Sequence, residues 1–175
     1  ELIPDHEKSY TARILLGVTT DTLDITGTVT GSFPVSVTPC EAEEAALSFY
    51  GEQLQTPPMY SAVSKDGVRL YDLGRQRSAE KRKINITEIR AYDFSDNEFS
   101  LDVTCSAGTY IRSLADDIGK KLGCGAVLKS LRRTRANGFS TDDCVTIEKL
   151  REICENGELG NYVMPVSRVL SQYKE

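Results

Sequence analysis

The order of the predicted elements in this 175-residue chain indicates an α+β fold with a mixed, largely antiparallel sheet and flanking helices. Residues 8–17 and 98–105 alternate apolar and polar side chains, which is typical of half-buried strands. Residues 111–122 repeat apolar side chains at helical intervals. A doubly wound parallel sheet is disfavoured, because its strands would alternate with helices and read as continuous apolar runs.

Length and composition predict one globular domain spanning residues 1–175. Hydrophobic residues make up 39% of the chain and charged residues 27%, and the longest apolar runs are far too short to span a membrane. The start of the chain has no signal-peptide pattern, and the five cysteines include no C-x-x-C pair. We therefore expect a cytoplasmic protein with reduced thiols and no metal site.

The first half of the chain predicts two strands and a helix. One strand covers residues 8–17 and a second lies near residues 28–33. Residues 38–41 match a capping box with proline at the first helical position, so a helix begins there and ends at Gly51. Its predicted apolar face consists of Ala42, Ala45, Ala46, Phe49 and Tyr50.

The middle of the chain predicts a long loop followed by a hairpin. The loop covers residues 55–70, with a tight turn at Asp66-Gly67 between two short extended arms, and a short helix over residues 70–76 follows. Residues 83–94 and 98–105 are predicted to pair. The inward side chains of the second of these strands are Phe99, Leu101, Val103 and Cys105.

The last third predicts helices with one exposed strand between them. Thr109 is a candidate cap for the amphipathic helix, and Gly123 a candidate terminator. We expect a short helix over residues 125–131, an exposed strand over 132–140, and a last helix over 146–156.

The charge of the chain is unevenly distributed. The net charge is −5, which argues against a protein that coats nucleic acid nonspecifically. Residues 65–90, however, carry eight Lys/Arg against four Asp/Glu, and residues 108–140 carry seven against two. This pattern favours one positive surface facing phosphates, with ordinary solvated faces as the alternative.

Two aspartates near the end of the first strand are candidates for chemistry. Asp21 and Asp24 could bind a metal or serve as acid and base. The alternative is a loop in which both carboxylates accept hydrogen bonds from nearby backbone N–H groups. Asp116 and Asp117 do not support a metal, because adjacent residues of a helix point in different directions.

Arg112 stands in the predicted first turn of a helix, directly after a strand and a glycine turn. A cation gains nothing from the helix dipole there, so a carboxylate or phosphate partner is expected; a surface arginine without a role is the alternative. Cys105 precedes this turn on the inward face of a strand and has no nearby histidine base. We interpret it as a core residue rather than a nucleophile.

Two segments have the composition of an RNA-binding surface. Arg132, Arg133 and Arg135 on an extended strand are spaced to follow a phosphate backbone. Residues 57–62 combine prolines with Tyr60 and lead into Lys65, Arg69 and further cations, which suits looped RNA with splayed bases. Solvated faces and an ordinary surface loop are the alternatives. No Walker loop, dinucleotide fingerprint, nucleophile elbow or H-E-x-x-H is present.

Three motifs occur in order between about residue 8 and about residue 165. The first motif reads K-S-Y followed by L-G-V-T-T-D-T-L-D-I-T-G. The second reads P-P-M-Y-S-A-V followed by D-G-V-R-L-Y-D-L-G-R. The third reads C-S-A-G-T-Y-I-R-S-L-A-D-D-I-G-K-K-L-G-C-G-A followed by L-R-R-T-R-A-N-G-F. Together these motifs resemble the TruB-type tRNA pseudouridine synthases, and the resemblance implies a pseudouridine synthase catalytic-domain fold.

The resemblance also implies an enzyme that isomerises uridine 55 in the T-loop of tRNA, without a cofactor and as a monomer. The family flips the base out of the loop and attacks it with an aspartate. Tyr10 would stack on the flipped base, while Tyr110 and Leu131 would line the pocket. Arg112 would pair with the catalytic aspartate and orient it, and Asp24 would hold Arg112 in turn.

The family's nucleophile motif, G-x-L-D-P-x-A-x-G, does not occur in these 175 residues. We therefore expect an inactive central fragment of such a synthase, without the nucleophile segment or a C-terminal RNA-binding domain of the PUA type. Three alternatives remain. The first is a non-catalytic RNA-binding paralogue, and the second is a guide-RNA-dependent synthase of the dyskerin branch. The third, a metal-dependent hydrolase using Asp21 and Asp24, is the most distant.

Overall fold

A computed structural model describes residues 7–59, 64–65, 68–69 and 80–171 of the chain. The strands are β1 (Lys8–Leu16), β2 (Val18–Thr20), β3 (Val29–Ser32), β4 (Gly51–Gln55), β5 (Ser64–Lys65), β6 (Val68–Arg69), β7 (Arg82–Ser95), β8 (Glu98–Cys105), β9 (Ala126–Ala136) and β10 (Phe139–Ser140). The helices are α1 (Pro39–Leu47), α2 (Ile111–Leu122), α3 (Ile147–Glu155), α4 (Leu159–Tyr162) and α5 (Val166–Ser171). None of the described helices is long and apolar enough to cross a membrane.

Six strands form one sheet in the order β10-β9-β1-β8-β7-β4, and every neighbouring pair is antiparallel. Helices α1 and α2 pack against one face of this sheet and against each other. This arrangement confirms the predicted α+β class and its largely antiparallel sheet. β2 pairs with β3, and β5 with β6, in two smaller sheets.

The core lies between the helices and the inner face of the sheet. The predicted inward side chains of the two alternating strands are buried: Ala12, Ile14 and Leu16 of β1, and Phe99, Leu101, Val103 and Cys105 of β8. Tyr10 is half-buried at the margin of this core. Because side chains of a strand alternate between faces, the outer face of this pair of strands carries the polar residues Ser9, Thr11 and Arg13 of β1 and Ser100, Asp102 and Thr104 of β8.

The β7–β8 hairpin confirms the predicted pairing and its turn. Asp96 and Asn97 have φ of 48° and 63°, the left-handed values that a two-residue turn needs to match the strand twist. The two short arms before and after Asp66-Gly67 pair as β5 and β6, as predicted. The turn itself and the predicted helix over 70–76 lie outside the described residues.

Helix α1 begins as predicted and ends earlier than predicted. Thr38 Oγ1 accepts a hydrogen bond from the Glu41 N–H, and the Glu41 carboxylate accepts one from the Thr38 N–H, which completes the capping box. The helix ends at Leu47, so Tyr50 lies beyond it and is 67% exposed. Placing Tyr50 on the apolar face was therefore wrong. Gly51, with a φ of 91°, begins the unpredicted β4.

Two predictions for the segment around α2 were wrong. The N-cap of α2 is Tyr110, because the Thr109 hydroxyl donates to the Ser106 carbonyl instead of capping the helix. No short helix covers residues 125–131; residues 126–131 belong to β9, which pairs with β1 from Ala126 to Ala136. This long pairing overrides the local sequence pattern. The αL terminator at Gly123 and the helix near 146–156 are confirmed.

Gly119 sets the distance between α2 and the start of β9. The Gly119 carbonyl accepts a hydrogen bond from the Gly125 N–H at 3.0 Å. A Cβ at Gly119 would lie 2.2 Å from the Ala126 nitrogen and 2.4 Å from the Gly125 carbonyl carbon. Both obstacles are backbone atoms, which cannot move aside as a flexible side chain can.

We expect Gly119→Ala to lower the free energy of unfolding by about 1–3 kcal/mol, because the new methyl group overpacks the contact between α2 and β9. Urea denaturation measures this change. Gly160→Ala is the matched control, since its Cβ meets nothing within 4 Å and alanine is a better helix former in α4. Equal stability of Gly119→Ala and the unmodified chain would contradict the close approach.

Candidate functional site

Tyr10 occupies the centre of the predicted site. It pairs with Val103 of β8 on one side and with Arg133 of β9 on the other. Burial raises the pKa of the Tyr10 phenol above its ordinary value, with a smaller rise from Cys105, and the neighbouring Arg133 opposes this shift. The phenol therefore remains neutral at physiological pH and lies beside a cation.

β9 places the predicted residues 131–133 on opposite faces of the sheet. Leu131 pairs with Ala12 and Arg133 with Tyr10, so both share the inner face with them. Arg132 pairs with Thr11, which faces outward. All three β9 side chains are exposed, and Leu131 is 46% exposed. Leu131 and Arg133 thus lie on the same face as Tyr10, whereas Arg132 lies on the opposite face.

The β2–β3 loop, residues 21–28, is attached to β9 by its backbone. The Ile25 N–H donates to the Leu128 carbonyl at 2.9 Å, and the Leu128 N–H donates to the Leu23 carbonyl at 3.2 Å. The Asp24 carboxylate accepts hydrogen bonds from the N–H and hydroxyl of Thr26 at 3.0 and 2.7 Å. These bonds support the local-turn interpretation of this carboxylate.

Asp21 also stabilises the loop, since its Oδ1 accepts a hydrogen bond from the Thr28 N–H at 2.8 Å. Within the ranges that the structure describes, no group of three His, Cys, Asp or Glu side chains is placed to hold a metal ion. The described geometry around Asp21 and Asp24 is that of a rigid turn.

Arg112 connects helix α2 to this loop. Its Nη1 donates to the Thr22 carbonyl at 3.2 Å, which brings the first turn of α2 close to the segment that carries Asp24. The expected contact between Arg112 and Asp24 remains a prediction. The bond to Thr22 nevertheless places these two predicted residues on adjoining segments.

Tyr110 is fixed by a residue that the sequence did not single out. The Gln55 side chain, 3% exposed, accepts a hydrogen bond from the Tyr110 N–H at 2.8 Å and donates one to the Tyr110 carbonyl at 3.1 Å. Nearby, the Ser113 hydroxyl donates to the Thr56 carbonyl at 2.9 Å. In the sequence, Gln55 stands out only as a polar residue shortly before a proline pair. This pattern does not identify Tyr110 as its partner.

Three other predicted residues have different outcomes. Cys105 is confirmed as a core residue, being 1% exposed, and burial raises the pKa of its thiol. The side chains of Lys65 and Arg69 lie outside the described part of the chain, so their RNA contacts remain predictions. All five cysteines are free.

A cavity of about 440 Å³ is lined mainly by polar side chains of β1, β7 and β8, and Tyr10 also contributes to its lining. Its hydroxyls and carboxylates bond to each other: Ser9 Oγ lies 2.9 Å from Thr104 Oγ1, and Thr11 Oγ1 donates to Asp102 at 2.6 Å. Thr104 also donates to Glu88 at 2.8 Å. Two carboxylates in this cavity disfavour phosphate, so the inner-face group around Tyr10 is the better candidate site.

The inner-face group combines an aromatic ring, an exposed aliphatic side chain and an arginine at the margin of the core. Tyrosine rings stack on bases, and arginines contact phosphates. The β2–β3 loop is bonded to Leu128 of β9, the strand that carries Leu131 and Arg133, and Arg112 of α2 is bonded to this loop at Thr22. The arrangement is therefore suited to holding a base out of an RNA loop.

We expect Arg133→Ala to raise the pKa of Tyr10 further, because the neighbouring positive charge favours the phenolate. NMR titration of tyrosine ring carbons, with Tyr10→Phe for assignment, measures this pKa. Arg132→Ala is the matched control, since the adjacent arginine lies on the other face and should leave the Tyr10 pKa unchanged. Equal shifts in both variants would contradict the assigned faces.

The chain matches two family models over almost its whole length. Residues 1–111 match the N-terminal domain of TruB family pseudouridylate synthases, and residues 112–171 match the C-terminal domain of tRNA pseudouridylate synthase B. Both matched regions contribute to the six-stranded sheet, because β1 lies within the first and β9 within the second.

Several curated relatives are named tRNA pseudouridine synthase B. The protein of Azoarcus sp. (strain BH72) is 46% identical over 153 residues, which cover 86% of this chain and 51% of that protein. The Alkaliphilus oremlandii protein is 42% identical, covering 90% and 54%. The Nitrosococcus oceani protein is 40% identical, covering 95% and 56%. The chain thus spans about half the length of these relatives.

Solved structures show the same fold. A chain in a Cbf5-Nop10-Gar1 complex superposes with a TM-score of 0.69 at 24% identity, covering 93% of this chain and 43% of that one. A chain in an H/ACA RNP bound to a substrate RNA containing 2'-deoxyuridine gives a TM-score of 0.59 at 24% identity, covering 89% and 38%. On the family models and the curated relatives together, this chain belongs to the TruB family of pseudouridine synthases.

Proposed function

We propose that the whole protein converts uridine 55 in the T-loop of tRNA to pseudouridine. The observation that carries this proposal is the position of Tyr10, half-buried on one face with Leu131 and Arg133. A ring at the margin of a core stacks on a base that has left its helix, and an adjacent arginine contacts the phosphates on either side. The names of the curated relatives support the same activity.

This position of Tyr10 and the family motifs support a role for each site residue. Tyr10 stacks on the flipped base, and Tyr110 and Leu131 line its pocket. Arg112 pairs with the catalytic aspartate and orients it. Its bond to the Thr22 carbonyl supports this role, because it fixes the guanidinium relative to the loop. Asp24 holds Arg112 from that loop.

The chemistry itself needs a nucleophile that these 175 residues do not supply. The motif G-x-L-D-P is absent from the sequence, so we propose that another part of the whole protein provides the aspartate. The reaction class requires no redox or metal chemistry, since it breaks one glycosidic bond and forms a carbon–carbon bond to the same base. The five free cysteines are in keeping with a cytoplasmic protein.

We expect the 175-residue chain alone not to pseudouridylate a T-stem-loop RNA, because it lacks the attacking carboxylate. Tritium release from uridine labelled at C5 measures turnover. Adding a second polypeptide that carries the nucleophile motif tests whether the pocket is otherwise competent. Turnover by the pure chain would show that a carboxylate within it performs the attack.

We also expect the chain to bind this RNA in a salt-sensitive way through Lys65, Arg69, Arg132 and Arg133. Removing one cation that neutralises a phosphate should reduce the slope of log affinity against log salt by about 0.7–0.9. Arg133→Ala therefore lowers both affinity and slope in fluorescence anisotropy titrations. Arg151→Ala, an exposed arginine on α3, is the control and leaves both unchanged. Affinity independent of ionic strength would argue against a phosphate-binding surface.

A further inference from the structure

We propose that Gln55 is a positioning residue that fixes Tyr110 for base binding; this inference rests on the proposed function of the Tyr10 site. The side-chain amide of Gln55 bonds to both backbone groups of Tyr110, at 2.8 and 3.1 Å. We call this pair of hydrogen bonds the Gln55–Tyr110 clasp. It joins the end of strand β4 to the start of helix α2.

The start of α2 depends on this tertiary contact. The N-cap Tyr110 has extended backbone angles, with φ of −102° and ψ of 110°, and its side chain makes no capping hydrogen bond. Helix starts are ordinarily completed by Ser, Thr, Asp or Asn at the N-cap. Thr109, the neighbouring residue that could cap, donates to Ser106 instead. Gln55 therefore bonds the Tyr110 peptide groups from outside the helix.

The geometry of the clasp controls the direction of the Tyr110 side chain. The bonded N–H and carbonyl flank the Tyr110 Cα, so holding both fixes the orientation of the bond from Cα to Cβ. Gln55 is itself held, because it is buried and pairs with Arg82 in the β4–β7 ladder. The Ser113–Thr56 hydrogen bond, from a side chain 3% exposed, adds a second tie one turn further along α2.

A fixed Tyr110 matters because binding sites lose affinity when a contacting group shifts by about 1 Å. Tyr110 is half-buried, and Arg112 lies two residues further along the same helix start. The clasp thus sets the position of a predicted pocket wall without itself touching the base. Gln55 bonds only to backbone groups of Tyr110. These two hydrogen bonds therefore do not depend on the chemistry of the side chain at position 110.

The first test compares two glutamines of the same strand. Gln55→Met keeps the shape of the side chain and removes both hydrogen bonds. Gln53→Met is the matched control, because the Gln53 side chain donates to the Phe49 carbonyl, four residues earlier in the chain, rather than to α2. Two quantities are measured on the full chain: hydrogen exchange of the Tyr110 amide by NMR, and the Kd for a fluorescein-labelled T-stem-loop RNA.

We expect Gln55→Met to expose the Tyr110 amide to exchange and to weaken RNA binding about five- to tenfold. Gln53→Met should change neither. Urea denaturation checks that both variants are folded at the temperature of the binding assay, and Ser113→Ala, which loosens only the second tie, should weaken binding by a smaller factor.

Gln55→Glu supplies a readout that a general loss of stability would not produce. A neutral carboxylic acid can accept from the Tyr110 N–H and donate to its carbonyl, as the amide does, whereas a carboxylate can only accept. We therefore expect the Kd of Gln55→Glu for the RNA, relative to that of the unmodified chain at the same pH, to decrease as pH falls and the acid becomes protonated. The relative Kd of Gln55→Met should not depend on pH.

Three results would overturn the proposal. If Gln55→Met binds the RNA as tightly as the unmodified chain while its Tyr110 amide exchanges freely, Gln55 has no positioning role, although the proposed function stands. The same conclusion follows if Gln55→Glu shows no improvement at low pH. If the unmodified chain does not bind the RNA at all, the proposed function fails together with this inference.

Discussion

The pairing of β1 with β8 on one side and β9 on the other determines which side chains reach the candidate site. Side chains alternate along a strand, so a slip of one residue would move Tyr10 to the outer face and bring Thr11 inward. The buried side chains of β1 oppose this slip, because Ala12, Ile14 and Leu16 would all leave the core with it. The same hydrophobic contacts that stabilise the sheet therefore determine the face on which the Tyr10 ring lies.

Features that depend on neighbouring residues were predictable from the sequence. The capping box at Thr38, the Asp96-Asn97 turn and the inner face of β8 all follow from short-range patterns. The first half of β9 was not predictable, because it reads as a short helix and becomes a strand only by pairing with β1, whereas the second half falls within the strand predicted over residues 132–140. Gln55 could not be assigned either, since its partner lies 55 residues away and contributes only backbone atoms.

Helix α2 is the element on which the site converges. Its start is held by Gln55 and bonded to the loop through Arg112, and its interior approaches β9 closely at Gly119. These contacts join segments from β4, the β2–β3 loop and β9 to one rigid axis. When the residues of a pocket come from separated parts of a chain, contacts with one rigid helix keep them in fixed relative positions. Each loop alone would vary in position.

The exposed basic residues of β9 have a second consequence, for self-association. β10 pairs with β9 at Arg135 and Ala136, and the β2–β3 loop bonds to Leu128, while residues 129–133 between these points are exposed. A strand near the edge of a sheet invites pairing with another copy, and positive side chains repel such a copy. The cations that we propose to contact RNA phosphates would thus also oppose intermolecular β-sheet growth, so neutralising them would also favour aggregation.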